Sequence, residues 1–161
     1  MKMNLRYALL ACFVSLVASC TKTSTAEEEG SIVPEARNVV AVEQELLNVV
    51  NEHRSSLGYE TLEYSDTAKK YADQHTDYMI AKGNLSHDNF SARASNISTE
   101  ASAEAVSENV AKDYFTAREA FEGWLKSSNH KKTMEGEFTH TAVSVKEDVS
   151  GNYYFTQLFY R

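Results

Sequence analysis

The hydrophobic period of this chain changes once, and that change limits its folds more than any other feature. Val39, Val42, Leu46, Val49, Val50 and Leu57 recur at three- and four-residue steps, the spacing of one helix face. Ala68, Tyr71, Ala72, His75, Tyr78 and Met79 repeat the pattern, as do Ala117, Ala120, Phe121, Trp124 and Leu125. Beyond His140 the period drops to two. Thr141, Val143 and Val145, then Tyr153, Phe155, Gln157 and Phe159, alternate with their neighbours. Ser150-Gly151-Asn152 between these runs supplies turn chemistry. Helices first and a β-hairpin last predict an α+β domain.

The helix limits are readable as well. The first helix spans 40–57 and Gly58 ends it. Ser65 is placed to cap the second, and Gly83 follows its end. Thr116 opens the third, where Glu119 completes a capping box. Ser127-Ser128-Asn129 stops that helix, and a short one follows through Met134. From Asn84 to Ser107 the pattern fades into Ser, Asn, Asp and Ala, which predicts loops with one short helix near 99–106.

The start of the chain reads as an address. Lys2 and Arg6 precede a largely apolar run from Tyr7 to Val17. That run is too short for a membrane span, which takes about 20 residues, and suits a signal peptide. Leu16-Val17-Ala18-Ser19-Cys20 resembles a bacterial lipobox, which implies a signal peptide over 1–19 and acylation (palmitate or a similar chain) of Cys20. Cys12 leaves with the leader, so Cys20 is the one cysteine remaining and no intramolecular disulfide can form. Residues 20–39 read as the lipidated cysteine and a flexible tether rich in Thr, Ser, Ala and Glu, with the single proline Pro34. The globular domain is expected over 40–161. The formal charge is −7, and loss of Lys2 and Arg6 takes it near −9. That balance argues against a nucleic-acid partner, which needs a basic footprint.

Several short pieces carry chemistry: Ser86-His87-Asp88 with Arg93, Glu108-Asn109-Val110, and Trp124-x-x-Ser127-x-x-His130. With Leu47-Asn48, Asn51, Arg54, Ala72-x-x-His75, Met79 and Tyr154-Phe155-Thr156-Gln157-Leu158-Phe159, they resemble the compact bacterial branch of the CAP superfamily. This is the domain of cysteine-rich secretory proteins, antigen 5 and pathogenesis-related proteins. The resemblance implies a three-layer α-β-α sandwich around a small antiparallel sheet, with a third strand that periodicity does not reveal. It also implies a cleft lined by His87, Glu108 and His130. Tyr154 stands where many animal members carry a second metal-binding histidine.

Two imidazoles and a carboxylate suit three roles: a hydrogen-bonded brace, a ligand or metal site, or general acid–base work. Zinc or a similar divalent metal on His87 and His130 is one expectation. Yet His87, Glu108 and His130 lie 21 and 22 residues apart, unlike a local metal-binding helix pair. No Gly-x-Ser-x-Gly elbow or phosphate loop is present. The expected protein is a lipid-anchored module of the bacterial cell envelope, facing away from the cytoplasm. Its expected partners are the membrane, through Cys20, and a small apolar ligand or another envelope protein. The alternatives are a metal-assisted hydrolase, such as a protease with Glu108 as base, and a purely structural envelope protein. His53, His75 and His140 read as ordinary structural histidines.

Overall fold

The computed structural model describes residues 36–161. The leader, Cys20 and most of the tether lie outside the described residues. The elements run β1 (Arg37–Asn38), α1 (Val40–Ser56), β2 (Glu63–Tyr64), α2 (Asp66–Lys82), α3 (Phe90–Ala101), β3 (Val106–Lys112), α4 (Ala117–Lys126), α5 (Ser128–Met134), β4 (His140–Glu147) and β5 (Tyr153–Tyr160). The predicted caps form. The Ser65 hydroxyl accepts from the Ala68 amide, and Thr116 and Glu119 close a reciprocal box. Gly83 ends α2 at φ 71°, a left-handed conformation that glycine adopts without steric cost. In the β4–β5 turn the Asp148 carboxylate accepts from the Ser150 and Asn152 amides, at 2.9 and 2.8 Å.

The sheet order is β1-β4-β5-β3, with β2 also on β4. The long pairings β4–β5 and β3–β5 are antiparallel, whereas β2 joins β4 in parallel. Strand alternation divides the core. Val143, Val145, Phe155, Phe159 and Ala111 face α1 and α4, where Leu46, Val50, Phe121 and Trp124 pack. Ala142, Leu158 and Tyr160 face α2 and α3, where Ala68, Tyr71, Ala72 and Ile97 pack. The sheet is thus enclosed between two helical layers, the α-β-α arrangement.

Two expectations about this region are corrected. The short helix expected near 99–106 is instead α3 over 90–101, and the chain from Val106 is strand. Arg93 and Ile97, one helical turn apart, are the buried residues of α3. Two inward side chains in a Ser- and Asn-rich stretch leave too little periodicity to read. The tether, expected to run to residue 39, already pairs at Arg37–Asn38 with Lys146–Glu147. Its last residues close the edge of β4, which a polar composition does not announce.

Candidate functional site

Glu108 and Asn109 are consecutive on β3, so they project to opposite faces. β3 is the last strand of the sheet, with α3 packed against it from one helical layer and α4 and α5 from the other. On one face Glu108 reaches α2, α3 and the loop between them. On the other, Asn109 Nδ2 donates to the His130 carbonyl at 3.1 Å, fixing the start of α5.

The Glu108 carboxylate is the hub, with its side chain 1% exposed. Arg93 grips it as a fork, Nε to Oε2 and Nη2 to Oε1, each at 2.9 Å. Arg93 Nη1 also donates to the Asp88 carbonyl at 2.7 Å, tying the loop to α3. His87 Nδ1 lies 2.8 Å from Glu108 Oε1. A carboxylate neutralised by guanidinium accepts, so Nδ1 carries the proton and the Nε2 lone pair of neutral His87 is free. The His87 side chain is 52% exposed, which leaves that nitrogen open to solvent. His75 Nε2 donates to the Ser86 carbonyl at 2.8 Å and stands 3.7 Å from Glu108 Oε1. Its buried Nδ1 has no partner among the described residues. Tyr78 stacks on His75 and donates to Asp88 at 2.8 Å.

His130 does not bond to Glu108. It sits near Trp124, ring centres 6.4 Å apart, and close enough to His87 that protons on both rings would repel. Its pKa is pushed down, first by burial and then by His87. The His75 pKa is likewise pushed down. Burial is the main cause, Arg93 and His87 add to it, and Glu108 and the Ser86 carbonyl oppose it. Both imidazoles are therefore held neutral.

Folding thus joins His87 and Glu108 directly and brings His130 to the rim. Sequence reasoning missed Arg93 as the partner of Glu108, and it read His75 as core alone. His75 is fully buried, yet it belongs to the same cluster. His53 pairs with Glu135 at 2.9 Å, and His140 stacks on Tyr160 beside Glu63; neither joins the site. The donor set does not fit a metal held by His87, Glu108 and His130. Both carboxylate oxygens are taken by Arg93, His87 Nδ1 faces Glu108, and only His87 Nε2 and the His130 ring remain. Among the described residues no three His, Cys, Asp or Glu groups are placed to hold one.

The depressed histidines have a consequence for stability. An unfolded histidine titrates near 6.5. Below that value the unfolded chain binds protons that buried His75 refuses, so folding stability falls as pH drops through 6.5 toward the folded value. Urea unfolding between pH 7.5 and 5 should show this acid loss, and His75→Gln should flatten part of it. An unchanged acid limb in that variant would refute the role of His75.

Comparison with known proteins agrees with this geometry. The Cysteine-rich secretory protein family profile, CAP, matches residues 47–159. An outer surface protein from Borrelia burgdorferi shares the fold at TM-score 0.72 and 18% identity, over 79% of this chain and 97% of that one. An extracellular protein containing a SCP domain from Bacillus anthracis str. Ames aligns at TM-score 0.66 and 24% identity, over 76% of this chain and 41% of its own. A cysteine-rich secretory protein from Staphylococcus aureus subsp. aureus Mu50 gives 0.64 and 15%, over 80% and 40%. The chain therefore spans nearly all of the first and about two-fifths of the other two. No curated protein sequence matches it. With more than half its length matched by the family profile, and with the sandwich and the Glu-Asn strand in place, the chain belongs to the cysteine-rich secretory protein (CAP) family.

Proposed function

We propose that the chain is a lipid-anchored, extracytoplasmic binding module, non-enzymatic, whose ligand meets His87 and His130 at the rim of the Glu108 cluster. One observation carries this reading. Glu108 orients His87 through Nδ1, which turns its Nε2 outward beside the His130 imidazole, held neutral by burial. The Glu108 and Arg93 charges offset each other, so the rim favours a ligand that presents hydroxyl or amide donors over an ion. A hydrolase with Glu108 as base is disfavoured, because Arg93 and His87 occupy its oxygens and bury them. The envelope location is supported by the lipobox-like Leu16–Cys20 stretch and by structural relatives described as outer-surface or extracellular.

Native mass spectrometry of the protein purified from its own envelope tests the binding reading. A retained small molecule, absent from a His87→Ala, His130→Ala double variant of unchanged fold, is expected. Accumulating cleavage products that depend on His87 would instead establish an enzyme. His87→Ala alone should lower stability by about 1 kcal/mol or less, because its partner stays held by Arg93 and the ring is half exposed. A larger loss on urea unfolding would make the histidine a structural brace. Cys20→Ser should move the protein from the membrane to the soluble fraction, since acyl chains contribute about 0.8 kcal/mol per buried CH₂. Continued tight membrane fractionation would sink the anchor.

A further inference from the structure

The outer edge of β4, at the opposite side of the sheet from Glu108, is covered in two separate pieces. Next to β1, the Val39 amide donates to the Val145 carbonyl at 2.9 Å. Next to β2, the Ser65 amide donates to the Thr141 carbonyl at 2.9 Å. Val143 lies between them. The β4–β5 register is unbroken from His140↔Tyr160 to Glu147↔Tyr153. Backbone direction therefore alternates, and Val143, like Thr141 and Val145, turns its N–H and C=O to the outer edge. The Val145 amide is satisfied by the Glu43 carboxylate at 2.9 Å. Among the described residues, neither backbone group of Val143 has a partner on that edge. Val143 is nonetheless 3% exposed, and buried backbone groups are rarely left unpaired.

Val143 lines a groove of about 390 Å³, walled by Val40, Leu47 and Tyr64 and flanked by Glu43, Gln44 and Lys69. Such a volume lies in the range of small-molecule sites. Its shape and charge narrow the occupant. A through-running peptide strand is excluded, because β1 and β2 close the edge on both sides. A ligand has to enter end-on, presenting one donor and one acceptor side by side. Glu43 and Lys69 are already paired with each other at 3.2 Å, and Lys69 also holds Asp73. Two carboxylates on one ammonium leave a net negative charge, which repels an anion, and the one ammonium is already held by both.

We propose that this groove is a second ligand site, for a neutral molecule or chain end that bears a primary carboxamide next to an apolar group. The carboxamide oxygen accepts from the Val143 N–H, its N–H donates to the Val143 carbonyl, and the apolar group lies against Val40, Leu47 and Tyr64. The site is independent of the His87–Glu108 cluster.

The test is titration of the ¹⁵N-labelled full chain with N-acetyl-leucinamide, followed by NMR, with N-acetyl-leucine methyl ester as the control that lacks the terminal donor. The Val143 amide resonance is expected to move saturably with the carboxamide, and at least fivefold more weakly with the ester. Tyr64→Ala removes one wall. Tyr64 is 53% exposed, so the fold is kept, and the carboxamide affinity should drop by a similar factor. A Val143 resonance that does not saturate, equal binding of the ester, or an unaffected Tyr64→Ala variant would each overturn the proposal.

Discussion

Glu108→Ala should cost the folded domain about 3–5 kcal/mol, the usual penalty for removing one member of a buried ion pair. The reason lies more in what is left than in what is lost. Arg93 is 8% exposed, and its guanidinium would remain in the core with no counter-charge. The loss should be read by urea or guanidinium unfolding of the otherwise intact chain. Adding Arg93→Met to Glu108→Ala should recover part of the stability, since no orphan cation then stays buried. A loss below about 1 kcal/mol would mean that the carboxylate is not a buried hub at all.

The second large effect is expected away from the site. Arg54 on α1 is 2% exposed and has no carboxylate partner among the described residues. Its guanidinium donates instead to main-chain carbonyls: Glu60 at 2.8 Å, Met134 at 2.7 Å, Gly136 at 2.9 Å and Phe138 at 3.4 Å. It thus pins two distant connections, one after α1 and one after α5, to the same helix. Arg54→Ala removes charge-assisted bonds, each of about 1.5–3 kcal/mol, and strands their acceptors. A loss of at least about 3 kcal/mol is expected, with the melting temperature down by roughly 10 °C or more for a domain of this size. Arg54→Lys should restore only part, because an ammonium lacks the planar fork. Full restoration by lysine would show that the charge, and not the spread of donors, does the holding.

These two residues mark how far the sequence could be read. Arg54 was legible as a polar residue in the last turns of α1, but nothing in its own helix announced four carbonyls from elsewhere. The helices α1, α2 and α4 were legible because each carries enough apolar side chains at helical spacing to identify its buried face. The capping groups Ser65, Thr116 and Glu119 act within three residues, so their role is local and readable. The hairpin was legible for the same reason: alternation and the Ser150-Gly151-Asn152 turn are short-range properties. By contrast, α3 and β3 were obscure. At its centre β3 carries Glu108 and Asn109, one paired with Arg93 and His87 and the other donating through Nδ2 to the His130 carbonyl. Polar residues satisfied from other parts of the chain look like loop until those partners are in place.

The site divides along the same line. Motif order placed His87, Glu108 and His130 as candidates, and family resemblance supplied the expectation that they meet. It did not supply Arg93 as the counter-charge, the burial that keeps His75 and His130 neutral, or the direction in which His87 presents its free nitrogen. Nor did it disclose the uncovered backbone of Val143. Local sequence determined the caps, the helix faces, the turn and the hairpin, because those depend on torsions and contacts within a few residues. Only the tertiary structure decided which charges are paired, which are desolvated and which polar groups stay open. Those outcomes depend on burial and on groups far apart in the chain, and the electrostatic energy of a buried pair is set by that packed, low-dielectric environment.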